Sequence, residues 1–270
     1  MKYKYPQLND REWLYDQYII KNNSAFAISR LLGCKSSNSV TQALLRLNIP
    51  IKQIDDAWLY YNGIDIQSNM NVINGSLLGD AGLKKWDKNS INANAYFYKK
   101  NKYIDHIQFV ASMLLCPHDT SRYIFDTIEK CNGKQLHYYT LRTPAHKIFT
   151  DIYDAWYPIY NEREKVVPCD LTMNPDTLLH WFLDDGNSYN RKRVNQRVKQ
   201  IVITLCCEGF KPEYVELLRD ICVRDTGIPF KLRKYNQGYG LRITIPQSAS
   251  NDFFDYIGIC PVESLNYKWK

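Results

Sequence analysis

Long apolar runs are missing from this chain. No stretch of about 18 apolar residues occurs, so no bilayer-spanning helix is expected. The opening MKYKYPQLNDREW has no apolar core, which speaks against a secretory leader. Paired cysteines are missing as well. The 270 residues include eight cysteines but no C-x-x-C, and the nearest two are the adjacent Cys206 and Cys207. That scatter argues against a zinc site and a secreted disulfide framework. Reduced thiols inside a cell are expected, in the cytoplasm of a bacterium or phage-infected cell, or in an organelle. His106, His118, His137, His146 and His180 show neither metal-ligand spacing nor a nucleophile partner. Charge of a single sign is absent too. Lys and Arg number 35 against 28 Asp and Glu, a net +7 that suits a polyanionic partner or merely a soluble basic protein.

What is present is an ordinary apolar fraction, 45%, and an unusual 21 tyrosines, a side chain suited to wet surfaces as well as cores. The first 52 residues separate from the rest. NDREWLYDQYII (9–20) begins with Asn9 or Asp10 as an N-cap and sets Trp13, Leu14, Tyr18 and Ile19 at helical spacing. AFAISRLLG (25–33) reads as a second short helix stopped by Gly33, and VTQALLRLNI (40–49) as a third, ended by Pro50. Two readings stand: a helix-turn-helix that sends its third helix into a major groove, with Ser37, Asn38, Thr41, Gln42 and Arg46 available, or a three-helix cap without a ligand.

Beyond residue 52 the pattern duplicates. Helix (70–80), strand (91–100), helix (103–115), strands (121–128 and 137–142) and helix (144–156) are followed by helix (175–185), strand (200–207), helix (211–225), strands (229–235 and 240–246) and helix (248–257). The expected fold is α+β: two pseudo-symmetric halves, 53–170 and 171–270, behind a small helical domain, 1–52.

Each half opens on a helix that ends in carboxylate. INGSLLGDA (73–81) ends near Asp80 and LLHWFLDDG (178–186) at Asp184 and Asp185, and 185 − 80 = 105 residues matches the repeat. Gly186 after Asp185 has a bland reading, a left-handed helix stop. The charge does not: a helix C-terminus is partly negative, so carboxylates there cost about 0.3–1 kcal/mol and call for a cation. Two such ends brought together would offer hard oxygen ligands to a divalent metal. Gly75 and Gly79, four apart, would let the second helix approach closely and bring Asp80 beside Asp185.

These residues resemble the LAGLIDADG homing endonucleases of the single-chain, two-motif kind. INGSLLGDA and LLHWFLDDG fit the nine-residue motif, whose eighth position is the catalytic aspartate. KVVPCDL (165–171) resembles the family's K-x-[IV]-P segment and SLNYKW (264–269) its terminal Y-K segment, the two placing Lys165 and Lys268 at the active centres. His180 stands opposite Gly75 where the motif usually has a small residue, so full symmetry is not expected. The resemblance implies a saddle of antiparallel sheets on double-stranded DNA, one chain acting as a monomer, and hydrolysis of both strands at a specific site. It implies Mg²⁺ (or Mn²⁺) held by Asp80, Asp185 and carbonyls near Gly79 and Asp184. A non-cleaving relative, acting as a maturase on its own intron RNA or as a DNA-binding regulator, is the alternative.

Strand alternation supplies the DNA-facing candidates: Asn92, Asn94, Tyr96 and Tyr98 on one strand, Lys231, Arg233 and Tyr235 on a second, Arg242 and Thr244 on a third. Arg142 ends another strand. Arg191, Lys192, Arg193 and Arg197, with Lys199, belong to a basic stretch (187–199) read as a phosphate-contacting loop.

Overall fold

The computed structural model describes residues 5–50 (except 22, 24 and 35), 69–85, 93–115, 120–131, 134–158, 164–191, 200–235 and 240–269. The chain divides into two compact units, Met1–Gly63 and Ile64–Lys270.

The first unit holds α1 (Arg11–Tyr15), continued by a π-helical turn through Ile20, α2 (Ala25–Leu31) and α3 (Asn38–Arg46). Asp10 caps α1 by accepting from the Trp13 N–H at 3.0 Å. Gly33, at φ +67°, stops α2. Asn48, at φ 51°, rather than Pro50, ends α3: its N–H bonds to Leu45 and that of Ile49 to Leu44, a Schellman stop that buries Ile49. Leu14, Tyr18, Ile28, Val40 and Leu44 form this unit's own core.

The second unit repeats one design. Its first half runs α4 (Met70–Leu78), β1 (Gly82–Lys85), β2 (Ala95–Asn101), α5 (Ile104–Leu114), β3 (Ile124–Cys131), β4 (Lys134–Arg142) and α6 (Lys147–Trp156). The second half runs α7 (Pro175–Asp185), β5 (Gly186–Arg191), β6 (Gln200–Cys206), α8 (Pro212–Thr226), β7 (Lys231–Tyr235), β8 (Gly240–Ile245) and α9 (Ser250–Ile257), then a 3₁₀ segment, Glu263–Trp269. The sheets are antiparallel and identically ordered, β1-β2-β4-β3 and β5-β6-β8-β7.

Two strands differ from the sequence reading. β1 has four residues, too few to show alternation. β5 occupies the start of the stretch read as a basic loop; its residues GNSYNR are polar, and pairing with β6 makes them a strand. In both sheets one face is apolar and packed under helices. Ala95 and Phe97 of β2, with Leu83 and Leu141 beside them, are buried, as are Ile203, Leu205, Ile243 and Ile245 in the other sheet.

Candidate active site

Glycine brings the two halves together. A Cβ built on Gly75 would lie 2.3 Å from the Thr177 carbonyl oxygen and 2.8 Å from the His180 Cβ; one on Gly79 would lie 2.3 Å from the Asp184 Cβ. Main chain of α4 therefore lies directly on α7, and the spacing Gly75-x-x-x-Gly79 does what it was expected to do. His180 fills the room Gly75 leaves. Its ring is buried and stacks on Phe109 of α5, with centroids 5.3 Å apart. Gly186 is not a left-handed stop. It is extended, at φ −77°, and is glycine because a Cβ would meet the Phe182 ring at 2.0 Å.

At the end of this seam the carboxylates separate into two kinds. The Asp184 side chain is fully buried and ion-paired with Lys99 of β2, whose Nζ lies 2.5 Å from both carboxylate oxygens. The Asp184 carboxylate is therefore committed to the protein. Only its main-chain carbonyl is left for the expected metal role, and that oxygen already accepts from Lys268 at 2.9 Å. Asp80 and Asp185 have no ion pair among the described residues. Crowding by protein, then the charge of Asp184, raises the pKa of Asp80. Burial, then the charges of Asp80 and Asp184, raises Asp185 to about 7. The carboxylate pair expected at the seam is thus present and electrostatically frustrated.

A cavity lies on either side. One of about 510 Å³ is lined by Asp80, Tyr98, Lys100, Tyr103 and Lys268. The other, of about 210 Å³, is lined by Gly79, Lys165, Asp185, Cys206 and Glu208. Each contains one of the two predicted lysines, but the lysines differ. Lys268 is held by the terminal segment, where Ser264 donates to Asp105 of α5 through its N–H at 2.9 Å and its hydroxyl at 2.7 Å. Its Nζ donates to the carbonyls of Phe182, Leu183 and Asp184 at 3.2, 2.7 and 2.9 Å. An ammonium has three donors, so all are taken by the C-terminus of α7. Much of the cation that the helix end demands is therefore lysine. Lys165 follows α6, where the Val166 N–H bonds to the Trp156 carbonyl. Among the described residues its Nζ makes one long hydrogen bond, 3.5 Å, to the Ala81 carbonyl and lies over the Phe210 and Trp156 rings at 5.6 and 5.9 Å, and burial lowers its pKa to about 8.

The sheet faces away from the helices carry polar side chains. In the first sheet, strand register puts Lys84, Tyr96, Tyr98, Lys100, Tyr138 and Arg142 on that face. Tyr96 is buried, Tyr98 half-buried and Arg142 exposed. Asn94 precedes the strand and accepts from the Thr150 hydroxyl, so it does not continue the expected series; Asn92 lies outside the described residues. In the second sheet Asn187, Tyr189, Thr204, Arg233 and Arg242 line a cavity of about 350 Å³, with Lys231 and Thr244 in register beside them. Arg242 is paired with Glu208. Arg191 ends β5 and Tyr235 ends β7, their side chains undescribed; Lys192, Arg193 and Arg197 lie outside the described residues. On α3, Gln42 is exposed and Thr41 half-buried, its hydroxyl bonded to the Ser37 carbonyl. Arg46 is engaged internally, donating to the Leu8 carbonyl at 2.9 Å and to Asn9 at 2.7 Å.

Sequence reasoning missed Lys84, Lys99, Lys100, Asn187, Tyr189 and Glu208. Lys99 had a signal: it shares the apolar parity of β2 with Ala95 and Phe97, where a lysine needs a buried partner.

A duplicated helix–sheet design with paired acidic helix ends on a glycine seam defines a pseudo-symmetric two-half fold encoded in one chain. Residues 70–253 match the model of the LAGLIDADG DNA endonuclease family, and the chain belongs to that family. It is 28% identical over 202 residues to a probable intron-encoded endonuclease 1 of Wickerhamomyces canadensis, covering 72% of this chain and 80% of that one. It is 24% identical to the DNA endonuclease I-ChuI of Chlamydomonas applanata, over 75% and 94% of the two chains. The homing endonuclease I-WcaI, solved bound to its DNA recognition sequence, has the same fold, with a TM-score of 0.61 at 21% identity over 83% of this chain and 96% of that one.

Proposed function

We propose that the protein is a site-specific endonuclease that cuts both strands of a double-stranded DNA target, one strand at each cavity beside the seam. The observation that carries this reading is the pair Asp80 and Asp185, two carboxylates without an ion pair among the described residues, held where burial and neighbouring carboxylates raise the pKa of both. Such a pair suits a divalent cation. The donor set fits one: the carboxylates of Asp80 and Asp185 and the carbonyls of Gly79 and Asp184 would hold Mg²⁺ (or Mn²⁺). Among the described residues no cluster of three or more His, Cys, Asp or Glu stands ready for a metal, so the shell would need DNA oxygens and water. The bound cation would activate water and stabilise the leaving oxygen.

The protein's own groups do the rest. Lys165 has donors to spare and faces the Asp185 cavity, placed to stabilise charge developing on a phosphate. Lys268 fixes the end of α7 and with it the backbone from which Asp185 projects. Arg142, Lys231, Arg233 and Arg242 suit guanine edges and phosphates, and Tyr98 and Asn187 lie on the same faces. The similarity to an intron-encoded endonuclease supports DNA over intron RNA as the substrate. The test is cleavage of a randomised or host-derived DNA library with Mg²⁺, beside Asp80→Asn and Asp185→Asn. Specific double-strand cuts by wild type, lost in both variants, are the expected result. Tight DNA binding without a cut would replace this reading with a regulator or maturase.

A further inference from the structure

The Lys99–Asp184 pair does not merely fill the core. Asp184 comes from the second half, yet the groups facing its carboxylate belong to the first: Lys99, the Asp80 N–H and, at 3.6 Å, His106 Nε2. One carboxylate oxygen accepts from the Asp80 main-chain N–H at 3.3 Å while both accept from Lys99 Nζ at 2.5 Å. The chain Lys99–Asp184–Asp80 thus crosses the seam twice and ends on the backbone of a reacting carboxylate. Both side chains of the pair are fully buried, so the arrangement does not depend on solvent.

The arrangement has no counterpart in the other direction. The motif position matching Asp184 is Gly79 in the first half, and no side chain there reaches the Asp185 main chain. That one-sidedness is enforced sterically, because any Cβ at Gly79 would collide with the Asp184 Cβ. Asp184 occupies the space a symmetric partner would need. Both centres share the seam, but among the described residues only the Asp80 backbone is held by a carboxylate from the opposite half.

We infer that Lys99 and Asp184 are positioning residues that set the Asp80 centre and not the Asp185 centre, so that the two DNA strands depend unequally on this buried pair. The inference rests on the endonuclease reading. Removing one partner would strand the other charge, so the informative variants remove both. Lys99→Met/Asp184→Leu deletes the pair and the acceptor for the Asp80 N–H. Lys99→Met/Asp184→Asn deletes the charges but keeps an amide oxygen in the acceptor's place.

The experiment is single-turnover cleavage of a duplex target, each strand separately labelled, with thermal unfolding as the control for folding. The leucine variant is expected to cut one strand about 100-fold more slowly, the loss that a reacting group displaced by about 1 Å produces. It should cut the other strand at nearly the wild-type rate and accumulate a single nicked product. The asparagine variant is expected to recover most of the lost rate. General loosening of the core would slow both strands together. Equal slowing of both strands, no slowing, or equal behaviour of the leucine and asparagine variants would overturn the inference while leaving the endonuclease reading intact. A wild type that cuts neither strand would overturn both. Should the leucine variant fail to fold, Lys99→Met/Asp184→Ala, which also lacks the acceptor but adds no bulk, takes its place: slowing of one strand upholds the inference, and equal slowing of both strands or no slowing overturns it.

Discussion

The Nζ of Lys268 donates to the main-chain carbonyl of Asp184 at 2.9 Å, and with its bonds to Leu183 and Phe182 this saturates the ammonium. Lys165, which lines the other cavity, makes one long hydrogen bond among the described residues. The two lysines should therefore fail differently. Lys268→Met takes a charged donor from the carbonyls at the end of α7 and should destabilise the fold by about 1.5–3 kcal/mol. Lys165→Met removes an ammonium that burial already disfavours, and should leave the melting temperature unchanged or higher. Its cleavage rate should fall about 100-fold or more at the strand served by Asp185. Thermal melts beside strand-resolved kinetics separate the two; equal loss of stability in both variants would show the asymmetry to be wrong.

Asp185 should trade stability for function. Its folded pKa, about 7, lies above the unfolded value near 3.9, so the folded state binds the proton more tightly. Stability from this group is present below about pH 3.9 and is lost as pH rises through 7. Asp185→Asn removes that penalty. The variant should melt higher than wild type at pH 8, and the difference should vanish near pH 4, while cleavage is abolished. A variant that melts lower than wild type at pH 8 would contradict the frustrated-pair account.

The buried histidines set the opposite limit. Burial pushes His106 down to about 2 and His180 to about 3, and the positive charge of Lys99 adds to both shifts. Both are neutral in the folded protein. The unfolded chain takes up their protons below about pH 6.5, so each costs about 1.4 kcal/mol of stability per pH unit from there downward. The histidines favour a fall in melting temperature between pH 6.5 and 4, which the raised carboxylates Asp185 and Asp80 oppose. His180→Met should flatten that fall. An unchanged acid slope in the variant would place the sensitivity elsewhere.

Much of the site could be read from the sequence because it is local. Gly75, Gly79, Asp80 and Asp185 lie within two nine-residue segments, where glycine spacing, helix-end charge and the repeat together point to a shared seam. The topological repeat was legible for the same reason. Lys99 was not, because its role depends on Asp184, 85 residues away and in the other half. β5 was not, because a polar strand carries no periodicity and exists through its partner β6. The cation that the acidic helix ends require was legible as a need but not in identity. The sequence argued for metal, whereas Lys99 and Lys268 supply part of the charge and leave only Asp80 and Asp185 to it.

Glu208 and Arg242 give the last prediction. Arg242 lies on the second sheet's polar face, and Glu208, paired with it, also lines the Asp185 cavity. DNA that engages Arg242 must compete with Glu208. Glu208→Gln weakens the competitor by removing its charge, so binding should tighten on all DNA sequences rather than on the target alone. Arg242→Ala should relax discrimination at one base pair, by about 1–3 kcal/mol if the guanidinium reads a guanine. Competition binding against single-base target variants measures both effects. If Arg242→Ala weakens every sequence equally, the residue grips phosphate instead, and its affinity loss should shrink as salt rises.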